Sequence, residues 1–238
     1  MAYLRDPGQA DPAAPVVAAP LADQVFALLR GWIINGELLP GDRLRIRDLA
    51  DRVGTSVMPV REAVRRLVES GLAVHEPYKG ATVRELDVTE LEHAYDVRIL
   101  LEGECARLGT RAAPLVVADR MQEHWELLEQ AARNDDVTEA LHQDELLLGA
   151  LYEASGNTVL VDLIRGLWDR CRPYKVVWAS KASEKGNVSL WHYKPDLIEA
   201  VRNRDSDAAA DIVRTSYQKA KTAIREALAR TKSSVGRV

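Results

Sequence analysis

Cysteine is scarce in this chain, aromatic residues are few, and no long apolar run is present. Only Cys105 and Cys171 occur in 238 residues, with no CxxC pair and no histidine cluster. That excludes a zinc finger and leaves too little sulfur for a disulfide framework. Two such thiols are expected to be buried and reduced. No segment approaches the roughly 18 apolar residues of a membrane span. The first twenty residues lack a basic stretch followed by an apolar one, so no secretory signal is visible and a cytoplasmic location is expected. There is no phosphate-binding glycine loop, no dinucleotide fingerprint and no nucleophile–base motif.

What is there is the balance of a soluble globular protein, 47% hydrophobic and 29% charged. Aromatics make up only 5%, with a single Phe, and Leu, Ala, Val, Arg and Glu dominate, which favours helices over a β-sandwich. The length suits one large domain or two modest ones. The net charge of −4 argues against a nucleic-acid partner until its distribution is read. Between Arg43 and Arg66 there are seven arginines against Asp48, Asp51 and Glu62.

The pattern divides the chain near Asp87. Residues 1–20, ending DPAAPVVAAP, read as a disordered tail, and 232–238 as another. Residues 21–86 read as three short helices and two strands. Leu21, Val25, Leu28, Leu29, Trp32 and Ile33 share one helical stripe, closed by Gly36 and Pro40-Gly41. A second helix fits Ile46 to Val53, stopped by Gly54. Ser56 caps a third, with Pro59 in its first turn and Val60, Val64, Leu67 and Val68 inward. Residues 72–77 and 81–85 make a strand pair around a Tyr78-Lys79-Gly80 turn. From 87 to 231 the pattern is all helical, with helices near 88–112, 117–133, 136–154, 158–180, 194–203 and 206–230. The predicted fold is therefore mainly α: an N-terminal winged helix-turn-helix, three helices plus a small β-wing, followed by an all-α antiparallel helical bundle.

In such a domain the third helix enters a major groove. Arg61 and Arg65 project from it one turn apart, able to grip phosphate or guanine. Ser56 and the helix N-terminus offer donors to phosphate. Lys79 and Gly80 form a basic wing tip. The alternative is that the arginines make a solvated face with Glu62 and Glu69. The strings Leu39-Pro-Gly-Asp-Arg-Leu44, Asp48-Leu-Ala50, Pro59-Val-Arg-Glu-Ala-Val64, Gly71-Leu72 and Lys79-Gly80 resemble the GntR family of bacterial repressors over about residues 21–85. The resemblance places Arg47, Ser56, Pro59 and Arg61 at the operator, with Lys79 and Gly80 at the wing. Met58 and Arg65 complete the expected DNA-facing set. Val57 stands where the family usually has arginine, and Ile46 where it commonly has an acid, so a different operator sequence is expected.

The helical half carries charge on apolar stripes. Leu91, Tyr95, Arg98, Glu102 and Cys105 share a 4-3-4-3 spacing; so do Val137, Leu141, Asp144, Leu148 and Leu151, and Ile212, Ser216, Ala220 and Ala223 lie on a third stripe. Charges there are costly unless paired or used; an internal Arg98–Glu102 pair is the plainer reading. Tyr95-Asp-Val-Arg98, the Asp144 to Asn157 stretch and Ala200-Val201 to Asp205 resemble the FCD effector domain of the FadR branch. That implies a bundle of about six or seven helices around a small metabolite. Many FCD domains hold a divalent metal with one aspartate and three histidines. By that resemblance Asp144 is present, but Leu148, Lys194 and Ser216 occupy the histidine places, so no metal and no cofactor is expected; His192 lies two residues from one of them. Arg98 and Lys194 are then the anchors for a carboxylate, with Glu102, Asp144, Trp191, His192, Ser216 and Tyr217 around it and Trp178 as a further wall. The expected molecule is a homodimer that binds a two-fold DNA operator, answers to a small organic acid, and meets no membrane. Two other readings remain open: an enzyme using Asp144, Glu102 and His192 in acid–base chemistry, and a scaffold whose winged helix binds protein.

Overall fold

The computed structural model describes residues 20–76, 80–183 and 191–235. The first unit holds α1 (Leu21–Ile34), α2 (Ile46–Val53), α3 (Val57–Glu69), β1 (Ala73–Glu76) and β2 (Gly80–Val83). The second holds α4 (Val88–Ala112), α5 (Val116–Arg133), α6 (Val137–Glu153), α7 (Thr158–Ser183), α8 (Lys194–Arg202) and α9 (Ser206–Val235). The mainly helical class and the winged helix-turn-helix order are those the sequence predicts.

Three helices alone would leave an apolar face open, and the strands close it. Val25, Leu29 and Ile33 of α1 pack on Val60, Ala63, Val64 and Leu67 of α3, with Leu72, Ala73 and Val83 beneath. The strands pair antiparallel from Ala73↔Val83 to Glu76↔Gly80. The outer edge of β2 is covered by residues 41–44: Leu44 N–H donates to Ala81 O and Val83 N–H to Asp42 O. This satisfies an edge that would otherwise present unpaired backbone groups. Gly54 ends α2 at φ 74°, a left-handed conformation glycine adopts without strain, and so sets the turn into α3.

The bundle begins at a capping box. Asp87 accepts from the Glu90 N–H, and Glu90 reaches back to the Asp87 N–H. Leu147, Leu148, Leu151 and Tyr152 of α6 meet Leu91, Tyr95, Cys105 and Ala106 of α4 in one core, completed by Ile164, Leu197, Val213 and Tyr217. Both cysteines are fully buried, unpaired thiols. Burial pushes the Cys105 thiol up to about 11, against a hydrogen bond with Ser155.

The helices α4 and α6 approach closely at Gly109, where a β-carbon would collide with the Leu151 carbonyl. Gly109→Ala is expected to cost about 1–3 kcal/mol, because backbone cannot yield as a side-chain tip can. A denaturation midpoint equal to wild type would contradict this crossing.

Three details depart from the sequence reading. Gly80 is the first residue of β2, not a turn residue, because it pairs with Glu76; Tyr78 and Lys79 lie outside the described residues, as do 1–19. The last helix continues to Val235, past Lys232 where a tail was expected. On α9 the buried stripe is Ala209, Val213, Tyr217 and Ile224, whereas Ile212, Ser216, Ala220 and Ala223 are only half-buried. Alanines on both faces of that helix blur its phase.

Candidate functional site: a basic helix-turn-helix face and a buried charge cluster

The seven arginines from Arg43 to Arg66 divide by partner. Arg52 pairs with Glu37 at 2.7 Å and stacks 3.7 Å over Trp32. Arg66 pairs with Asp23 over the Phe26 ring. Arg65, expected to face DNA, is held by Glu62, with Nε donating at 3.0 Å, and by Glu69 one turn on. This is the solvated-face arrangement, and i,i+3 and i,i+4 spacing is its cause. Arg45 stands 3.7 Å from Asp48. Arg43, Arg47 and Arg61 are exposed and form no ion pair among the described residues. Met58 is 67% exposed in the first turn of α3, beside half-buried Pro59. Ser56 is the N-cap of α3 in extended backbone, but its side chain caps nothing, which leaves its hydroxyl unspent. Arg47, Ser56, Met58 and Arg61 thus stand on the two helices that flank the Gly54 turn.

The second set lies inside the bundle. Arg98 and Glu102, one turn apart on α4, are 1% and 0% exposed, and Arg98 Nε donates to Glu102 Oε1 at 2.7 Å. Glu102 Oε2 accepts from Tyr217 Oη at 2.6 Å, Trp168 Nε1 at 3.0 Å and Tyr152 Oη at 3.2 Å. The Arg98 guanidinium lies 4.5 Å from the Tyr217 ring and 4.9 Å from the Tyr95 ring. Its Nη1 is buried without a hydrogen-bond partner. Arg98 is therefore not the uncommitted anchor the sequence suggested: Glu102 holds one edge, and one nitrogen remains unsatisfied. Burial opposes its charge, but Glu102 outweighs that and holds the guanidinium protonated.

Asp144 of α6 forms a second knot. Lys194 Nζ stands 2.5 Å from Oδ1, an ion contact outside hydrogen-bond angles, and Lys175 Nζ reaches Oδ2 at 3.2 Å. Lys194 is wholly buried, 4.7 Å over the Tyr193 ring. Burial raises the Asp144 carboxyl, yet the ammonium groups of Lys194 and Lys175 win and hold it at about 2. Burial lowers Lys194 against the pull of Asp144. The Asp144–Lys194 pairing follows the sequence reading. Lys175, Trp168, Tyr152 and Tyr193 were missed; Trp168, Cys171 and Lys175 share a 3-4 spacing that puts two of them on one stripe.

A small cavity of about 30 Å³ beside the Asp144 knot is lined by Tyr95, Asp144, Lys175, Trp191, Ser216 and Tyr217, and reaches the Arg98–Glu102 knot only through Tyr95 and Tyr217. That is room for about one water. Outside lies a cleft of about 610 Å³ lined by exposed His192, Asp196 and Lys219 and by half-buried Ile212. Tyr193, Ser216 and Ala220 border both spaces. The Trp178 side chain lies outside the described residues.

A divalent metal does not fit the cluster. Both Asp144 oxygens face ammonium groups, and Leu148 has no lone pair. Ser216 Oγ already donates to Val213 O at 2.8 Å, and exposed His192 faces the outer cleft. Among the described residues no three metal-binding side chains converge. One carboxylate between two ammonium groups is not a transition-metal site.

A winged helix-turn-helix joined to a helical bundle with a polar buried centre defines a one-component transcriptional regulator. Residues 21–83 match the bacterial regulatory proteins of the gntR family, and residues 93–219 match the FCD domain. The chain belongs to the GntR family of transcriptional regulators, in its FCD-containing branch. It is 29% identical over 187 residues to the HTH-type transcriptional regulator McbR of Escherichia coli strain K12, spanning 77% of this chain and 83% of that one. It is 23% identical over 210 residues to the HTH-type transcriptional repressor RspR of the same strain, spanning 87% and 90%. The solved structure of E. coli McbR/YncC superposes with a TM-score of 0.76 at 25% identity, covering 89% of this chain and 100% of that one. A GntR regulator of Rhodococcus sp. RHA1 shares the fold at a TM-score of 0.73 and 24% identity, covering 85% and 96%. This family and these relatives are regulators of transcription, not enzymes, which sets aside the acid–base reading of Asp144, Glu102 and His192. Among the described residues no helix is long and apolar enough to cross a membrane.

Proposed function

We propose that this regulator is a cytoplasmic homodimeric repressor that binds a two-fold operator and is controlled by a small organic carboxylate. Arg47, Ser56, Met58 and Arg61 meet the operator, Arg61 on base edges and Arg47 on phosphate. Arg43, exposed beside β2 where it bridges Thr82, and Lys79 and Gly80 are assigned to the wing contact. Arg65 joins only by leaving Glu62 and Glu69, exchanges of little cost on an exposed face.

The observation that carries the effector chemistry is the charge of the buried centre. Arg98 and Lys194 are buried against Glu102 and Asp144, two charges against two, and the partly exposed Lys175 brings a third cation to Asp144. That extra cation, with Arg98 Nη1 unsatisfied, favours an anionic guest. One carboxylate oxygen takes the water-sized space between Lys175, Trp191 and Ser216, and the organic part fills the outer cleft beside His192 and Ile212. The cleft has the size of a small-molecule pocket.

Arg61→Ala tests the DNA half. It is expected to weaken binding to a selected duplex by about 1–3 kcal/mol, the worth of a bidentate base contact, with the fold intact. Arg47→Ala should weaken binding to all sequences alike and flatten the salt dependence. Gel shifts at several salt concentrations read both; unchanged affinity in a folded Arg61→Ala protein would sink the assignment.

A further inference from the structure

Helix α7 touches the buried charge cluster with one set of residues and the DNA-binding unit with the residues between them. Inward, Trp168 donates to Glu102 at 3.0 Å and Lys175 reaches Asp144 at 3.2 Å. Their chain neighbours, about a quarter turn round the helix, reach the DNA-binding unit and its linker. Asp169 accepts from Arg30 of α1, through Nε at 2.8 Å and through Nη2. Tyr174 Oη accepts the Leu86 N–H, in the linker before α4, at 2.5 Å. Arg170 lies against Gly71, where α3 exits: a β-carbon there would come within 2.9 Å of Arg170 Nη2. Val176 stands 3.5 Å from the place of a β-carbon on Gly36, in the turn after α1.

Two further features make this helix a lever with some give. Pro173 lies inside it, between the Trp168–Asp169 and Tyr174–Lys175 pairs. It removes the helical hydrogen bond to the Asp169 carbonyl. A groove of about 550 Å³ lined by Arg30, Ile34, His142, Trp168 and Asp169 opens beside the Arg30–Asp169 pair. The second unit therefore holds α1 at this edge by a charge pair bordering open space, which can break and reform without repacking a core.

We propose that α7 transmits the pairing state of the buried cluster to the DNA-binding unit: when Glu102 or Asp144 changes partner, Trp168 and Lys175 shift and Asp169, Arg170 and Tyr174 re-seat α1, α3 and the linker. The proposal rests on the reading of that cluster as the effector site. Trp168 and Lys175 act here as positioning residues, and the coupling is reciprocal, so loosening the outer contacts must also disturb the inner ones.

The test is amide hydrogen exchange on the full-length protein, with no ligand added. Trp168→Phe removes the indole donor to Glu102 together with part of the ring that meets Tyr152, and Lys175→Met removes the outer ammonium of Asp144. Each is expected to speed exchange about five-fold in peptides spanning 35–36, 70–72 and 84–87, and not uniformly along the chain as a general loss of stability would. Asp169→Asn should speed the same peptides, and adding Lys175→Met to it should give less than the two effects combined. Should Lys175→Met be too unstable to read, Trp168→Phe with Asp169→Asn completes the same cycle. Exchange changes confined to 141–148 and 168–179, or strict additivity, would overturn the proposal. Gel shifts of the wild-type protein run alongside: no DNA binding there would defeat the functional reading and leave the exchange result to stand or fall by itself.

Discussion

Glu102→Ala is expected to bring the helical domain to the edge of unfolding. Glu102 is fully buried, is the ion-pair partner of Arg98, and accepts from Tyr217, Trp168 and Tyr152. Alanine leaves the Arg98 guanidinium as an unpaired cation in a dry core. Breaking a buried pair from one side costs about 3–5 kcal/mol. Each orphaned donor adds up to about 1–3 kcal/mol, less where the cavity left by the side chain admits water. These terms are not additive, but their combination rivals a whole domain stability of about 5–15 kcal/mol. Glu102→Gln, which keeps the shape and one acceptor, should lose less. Arg98→Met added to Glu102→Leu should recover part of the loss, since no charge then remains unpaired. Urea unfolding followed by far-UV circular dichroism separates the cases. A Glu102→Ala protein within about 1 kcal/mol of wild type would mean that water reaches Arg98 and that the centre is not dry.

This centre was half legible in the sequence, and the reasons differ by residue. Arg98 and Glu102 stand out because Leu91, Tyr95 and Cys105 fix the phase of their stripe, so two charges on it had to be inward. Asp144 follows from Leu141, Leu148 and Leu151 in the same way. Lys175 lies within the helix read over 158–180 and on the stripe of Trp168 and Cys171, but a lysine on a stripe can carry its amine out to water, so its position alone does not mark it as inward. Ser216 was placed deeper than it lies, because Ala208, Ala209 and Ala210 suit either face of α9. The Arg65 pairs were readable from spacing to Glu62 and Glu69, and weighing charge alone set them aside. The Arg30–Asp169 pair spans 139 residues, and no local periodicity carries across such a distance. Helix boundaries were the most legible feature, since Gly54, Ser56, Asp87 and Asp136 mark ends chemically.

The second large effect concerns Asp144, and its two lysines make the outcome asymmetric. Asp144→Leu strips the only carboxylate among the described residues within ion-pair distance of Lys194 Nζ, which is buried with no solvent to turn to. A loss of about 3–5 kcal/mol is expected. Lys175 is partly exposed and can extend its amine to water, so it contributes little to that loss. Lys194→Met alone should cost less than Asp144→Leu, because Asp144 keeps Lys175. Asp144→Leu with Lys194→Met should regain most of the stability, an apolar pair replacing an ionic one. Acid titration gives an independent reading. The folded carboxyl is held at about 2, below the 3.8 of an ordinary aspartate, so its contribution is complete above pH 3.8 and is lost as pH falls through about 2. The double variant lacks that group and should lose less stability than wild type across this window. If Asp144→Leu and Lys194→Met prove equally damaging and their double variant is worse than either, Asp144 and Lys194 are not a pair closed on itself, and the cluster must draw its compensation from elsewhere in the bundle.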